Sequence, residues 1–118
     1  MLKLDDDLFR GVRSLDGTAS RISEPEPGLK RQVLSYSATM MLVRHEMCEG
    51  WRGAAHKHPH EQIVYVISGR LRITVGSATF DASAGDDFIV KSNVEHQASA
   101  LQASVVLDVF SPAREDYL

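Results

Sequence analysis

The stretch from Gln62 to Phe80, "QIVYVISGRLRITVGSATF", decides the fold. Within "RLRITV" (70–75), Leu71, Ile73 and Val75 alternate with Arg70, Arg72 and Thr74. This is the two-residue period of a strand with one face packed and the other in water. Ser68-Gly69 and Gly76-Ser77 flank it, and both read as two-residue glycine turns that join antiparallel strands. Further β-prone runs recur outward: "KRQVLSYS" (30–37), "TMMLVRHEM" (39–47), "ATFDAS" (78–83), "DFIVK" (87–91) and "SVVLDVF" (104–110). No window sustains a 3.6-residue period with helix caps. The expected fold is all-β, a small antiparallel barrel or double-sheet jelly roll, a shape that solves the problem of exposed strand edges.

A chain of 118 residues supports one domain with a real core. Residues 1–28 are polar and end in "SEPEPG", whose prolines deny regular hydrogen bonding, so they are expected as an arm and loop ahead of a single barrel at 29–118. The net charge of −3, with no basic cluster, argues against a nucleic-acid partner. One cysteine, Cys48, excludes an internal disulfide framework, fits a reducing compartment and reads as a small buried hydrophobe. The opening "MLKLDDDLFRG" has three aspartates where a leader needs positive charge, and no apolar run approaches the roughly 18 residues a membrane span requires. A cytoplasmic protein with no membrane partner is expected.

Chemistry concentrates in "HKHPHEQ" (56–62). On a straight strand His56, His58 and His60 would share a face, and imidazole is the commonest metal ligand at neutral pH. Surface histidine runs also bind metal adventitiously, so this run alone leaves both readings open. A second anomaly lies in "VVLDVFSPAREDYL" (105–118), where Asp108 interrupts an apolar strand and shares a face with Phe110. A carboxylate so placed must be paired, bound or used. Arg114 could fold back to the same opening, or could simply form a buried structural pair with Asp108. A lone histidine on a strand, as His45 is, usually has a structural role, although His45 could instead lie near the mouth of the barrel, and Glu61 should face away from Gln62.

Taken together, these segments resemble the cupin family. Its first motif is Gly, five residues, His-x-His, three or four residues, Glu, six residues, Gly; this chain has Gly50, His56, His58, Gln62 and Gly69 at those spacings. Its second motif, Gly, five residues, Pro-x-Gly, two residues, His, corresponds to Gly85, Lys91-Ser92-Asn93 and His96. Asn93 replaces the motif glycine and can reach positive φ at moderate cost. The resemblance covers residues 30–111 and implies a cupin-type double-stranded β-helix. It further implies metal ligands His56, His58, Gln62 and His96, with His60 at the rim or supporting the ligands. Three imidazoles and an amide leave a divalent ion its full charge, suited to an anionic ligand. Zinc, nickel, iron, manganese, cobalt and copper all fit this donor set.

The spacing Asp108, Phe110, Arg114, together with Gln62 in place of glutamate, resembles a narrower group, the pectin-degradation cupins. That resemblance implies linearisation of 4,5-unsaturated uronates to open-chain keto acids, with Asp108 as general acid/base, Arg114 orienting an anionic oxygen and Phe110 packing against the sugar. The alternatives are a metal-dependent cupin dioxygenase and a non-catalytic small-ligand binder. The partners implied are a small sugar acid and a second copy of the chain in a homodimer; Leu8, Phe9 and Val12 could dock on that partner or equally on the chain's own barrel.

Overall fold

The structure is a computed structural model and describes residues 22–118. Leu8, Phe9 and Val12 lie outside the described residues. Nine strands follow one another: β1 (Ile22–Glu26), β2 (Leu29–Tyr36), β3 (Met41–Met47), β4 (Glu61–Ser68), β5 (Arg70–Val75), β6 (Ala78–Ser83), β7 (Asp87–Val90), β8 (His96–Ala100) and β9 (Ser104–Ser111). One turn of 3-10 helix, Glu115–Tyr117, ends the chain. The strands form two sheets of order β1-β2-β3-β9-β4-β7 and β6-β5-β8, every pairing antiparallel. This is the expected jelly-roll architecture.

Strand alternation aims the core. Along β9, Ser104, Val106, Asp108 and Phe110 are buried while the residues between them are half-exposed. Along β3, Met41, Val43, His45 and Met47 point the same way. One apolar cluster joins the sheets through Leu29, Met47, Val64, Val66, Leu71 and Ile73. A second, built on Val33, Met41, Val43, Phe110 and Ala113, plugs the region beneath the C-terminal tail. Each fully buried aliphatic side chain contributes roughly 1.5–3 kcal/mol over leaving it in water. The polar residues on these inward faces are therefore the informative ones.

The two glycine turns of the opening stretch differ in kind. Gly76-Ser77 closes a true hairpin, with Val75 opposite Ala78. Ser68-Gly69 does not, because β4 lies between β9 and β7 while β5 lies between β6 and β8. It is a corner where the chain leaves one sheet for the other. Gly69 has φ 87°, and a Cβ there would lie 2.3 Å from both the Ala103 carbonyl oxygen and Ser104 Oγ. Tight contact at a corner, not hairpin geometry, demands this glycine.

Three other expectations are corrected. Residues 22–28, read as loop, form β1 and the Pro27-Gly28 turn, with Glu26 opposite Leu29. Prolines are tolerated there because β1 is an edge strand, and its register slips between Ser23 and Glu26, around Pro25. Cys48 is exposed because it lies just past β3, in a turn closed by Trp51 N–H donating to its carbonyl. Residues 56–60 form no strand; His56 alone makes a backbone bridge, to His96.

Candidate metal centre

Ligand atoms of His56, His58 and His96 all lie within 4.8 Å of one another. His56 and His96 are held face to face by two mutual backbone hydrogen bonds of 3.0 and 2.9 Å. His58 follows two residues after His56, and its carbonyl accepts the Asn93 N–H at 2.8 Å. That bond pins the turn before β8, where Asn93 takes φ 61° in place of the motif glycine. Gln62 projects from the start of β4 on the same side.

Backbone carbonyls set the state of each ring. Nδ1 of His56 lies 3.1 Å from Ala54 O, Nδ1 of His58 lies 3.0 Å from His60 O, and Nδ1 of His96 lies 2.9 Å from Val94 O. A carbonyl oxygen only accepts, so each Nδ1 carries the hydrogen and each Nε2 is left as the ligating atom. Burial, reinforced by Arg114 and by neighbouring imidazoles, holds His58 and His96 below the ordinary histidine pKa. They are poised as neutral donors.

Gln62 supplies the decisive contact. Its Nε2 donates to Asp108 Oδ1 at 2.8 Å, which fixes the amide and turns Oε1 toward His58 Nε2, 3.1 Å away. Since His58 Nδ1 already donates to a carbonyl, a neutral ring brings two lone pairs into close opposition. A cation between them removes that repulsion. The residues present therefore fit a divalent metal, with His56, His58, His96 and the Gln62 oxygen as its donors.

The donors open on a cavity of about 400 Å³ between the sheets, lined by His56, Gln62, His96, Asp108, Phe110 and Arg114. His58 is packed behind this wall, edge-on to Phe110 at 5.9 Å between ring centroids. Phe110 is itself only 1% exposed and backs the imidazoles as much as it faces the cavity. Asp108, 3% exposed, is not paired with Arg114: its Oδ2 lies 2.6 Å from His45 Nδ1. Arg114 instead donates through Nε and Nη2 to Asp116, at 3.0 and 2.8 Å. Its Nη1 is buried without a partner among the described residues. His60 packs edge-on against His58 and Phe110, and Glu61 is exposed on the far side.

Three cavity residues carry no signal of their role in the sequence. His45 accepts a hydrogen bond at Nε2 from Arg31 Nε, 3.1 Å away, while its Nδ1 serves Asp108. The Arg31 guanidinium lies 3.6 Å over the Tyr117 ring, and burial raises the Tyr117 pKa. Nothing local marks these side chains, which meet only through strand register and the returning tail.

A two-sheet antiparallel barrel with a histidine triad at its mouth defines a cupin. Residues 43–110 match the cupin domain family, and the chain belongs to it. Over 93 residues it is 33% identical to the pectin degradation protein KdgF of Dickeya dadantii (strain 3937), covering 77% of this chain and 84% of that protein. The structure of KdgF from Halomonas sp. is similar with TM-score 0.79 and 33% identity, over 82% of this chain and 90% of that one. An RmlC-like cupin from Shewanella frigidimarina is similar with TM-score 0.80 and 36% identity, over 82% and 87% of the two chains.

Proposed function

We propose that this cupin uses a divalent metal held by His56, His58, Gln62 and His96 to open the ring of 4,5-unsaturated uronates. The observation that carries the reading is the uncharged four-donor set beside an Asp108 carboxylate and an Arg114 whose Nη1 has no partner among the described residues. Similarity to a pectin degradation protein supports the substrate class.

The reaction is an isomerisation. A proton leaves the hemiacetal hydroxyl, the anomeric C=O forms as the bond from the anomeric carbon to the ring oxygen breaks, and the resulting enolate takes that proton back at the alkene carbon, leaving a ketone where the ring oxygen was bonded. The product is an open-chain keto acid. When bound, the ion supplies positive charge to the substrate carboxylate and an adjacent oxygen. Asp108 accepts and returns the proton: His45 and Gln62 occupy one lone pair on each of its oxygens, and the other pair on each remains available. Arg114, already braced by Asp116, offers Nη1 to an anionic oxygen. Phe110 supplies the apolar wall against the sugar.

The test is to load the protein with metal, add freshly made unsaturated galacturonate and follow loss of the enol absorbance. A rate equal to that of buffer containing the same metal removes the assignment. With zinc in excess, Asp108→Asn should lower the rate by about 10²–10⁴-fold, the range a positioned acid/base contributes.

A further inference from the structure

Four side chains form one hydrogen-bonded row across the inner face of the larger sheet. Arg31 on β2 donates to His45 on β3, His45 donates to Asp108 on β9, and Gln62 on β4 donates to the other oxygen of Asp108. These strands are consecutive neighbours in the sheet. Arg31 lies directly opposite His45, whereas Asp108 pairs with Val43 and Val64, so it is diagonal to both His45 and Gln62. Strand register thus builds the row.

The donors run in a forced order. Arginine can only donate, so His45 Nε2 must accept and Nδ1 must carry the hydrogen. That hydrogen and the Gln62 amide then converge on a carboxylate that is 3% exposed. Rotating the Gln62 amide would aim its oxygen at Asp108 Oδ1 and its N–H group at His58 Nε2. A glutamate at 62 would set two carboxylates about 2.8 Å apart with no hydrogen between them.

We propose that Asp108 is a positioning residue for the fourth metal donor. Held by His45, and through it by Arg31, it fixes the Gln62 carbonyl oxygen toward the three imidazoles and excludes a carboxylate from position 62. This deepens the metal-centre reading and rests on it. It explains the departure from the family motif by a partner on another strand: Gln62 and Asp108 are a matched pair.

Matched pairs can be inverted. In the double variant Gln62→Glu/Asp108→Asn, the amide introduced at position 108 donates to the carboxylate introduced at position 62. The oxygen of that amide still accepts from His45, so every hydrogen bond survives with one direction reversed. Two measurements on metal-free protein test the proposal without uronate, so neither depends on whether ring opening occurs. Long-range proton–nitrogen NMR correlation on the unmodified protein at pH 8 should show His45 as the Nδ1–H tautomer. The Nε2–H tautomer or an imidazolium overturns the row. Thermal unfolding of the four proteins in the cycle should give opposite signs. Gln62→Glu lowers Tm by about 5–15 °C when residue 108 is Asp, from a lost buried hydrogen bond and unpaired charge, yet raises Tm when residue 108 is Asn. If Gln62→Glu alone does not fold, comparison of Asp108→Asn with the double variant carries the test: a lower Tm in the double variant overturns the proposal.

Discussion

Gly69→Ala tests the corner on which the two-sheet arrangement turns. Two costs combine there. An L-residue at φ 87° is strained by roughly 1–2 kcal/mol. The added methyl would also sit 2.3 Å from the Ala103 carbonyl oxygen and from Ser104 Oγ, and 2.6 Å from Ser104 Cα. Ser104 cannot easily yield, since its hydroxyl accepts from Arg70 N–H and donates to Gln102 O. Overpacking of this kind typically costs about 1–3 kcal/mol. Each 1 kcal/mol lowers Tm by about 4–8 °C in a domain near this size, so Gly69→Ala should lose at least about 8 °C. Gly85→Ala is the control: its φ is 90°, but nothing lies within 4 Å of the added Cβ. Circular dichroism melts of the two metal-free variants should therefore separate by several degrees, with Gly69→Ala lower. Equal losses would refute the close approach of the β4–β5 corner to the start of β9.

Three further outcomes are expected. In the proposed ring opening, Arg114→Lys keeps the charge but loses the planar fork that serves Asp116 and the cavity together, so kcat/KM for unsaturated galacturonate should fall about 10–100-fold, mainly through KM; an unchanged KM would remove Arg114 from the proposed substrate binding. Burial holds His58 and His96 below the ordinary histidine pKa, so the unfolded chain takes up protons first as pH falls through about 6.5. Stability of the metal-free protein is full above that pH and is lost below it, toward the folded pKa values; a Tm that stays level or rises from pH 8 to pH 5 contradicts this. Ile63, Tyr65, Ile67 and Ile89 are exposed on one outer face of β4 and β7, with Ile63 opposite Ile89. If that face forms the expected homodimer, sedimentation velocity should report a dimer that Ile63→Lys/Ile89→Lys converts to monomer, and a native monomer would refute it.

The strands legible in the sequence are those whose apolar residues alternate against charged ones, as in β5. β8, "HQASA", carries only small and polar residues and has no such signature, although it delivers His96. β1 is masked by Pro25, which an edge strand accommodates, and by Pro27 in the turn that follows it. Ser68-Gly69 reads as a hairpin although it is a corner, because a local glycine signal says that the chain turns, not which strand it meets next. The four proposed metal donors are readable because their spacing to Gly50, Gly69 and Gly85 is local. His45, Arg31 and Tyr117 are not, because His45 meets Asp108 across 63 residues, Arg31 meets His45 across 14, and Tyr117 meets Arg31 from the opposite end of the described chain, and only register and the returning tail bring them together.

The mutual backbone bridge between His56 and His96 ties chain closure to occupancy. Those two amides stitch the segment before β4 to the first residue of β8, and the side chains on the same two residues are metal donors in the proposed centre. Loading the site should therefore slow their solvent exchange more than that of amides deep in the sheets. The barrel rim becomes its own occupancy gauge, readable one amide at a time.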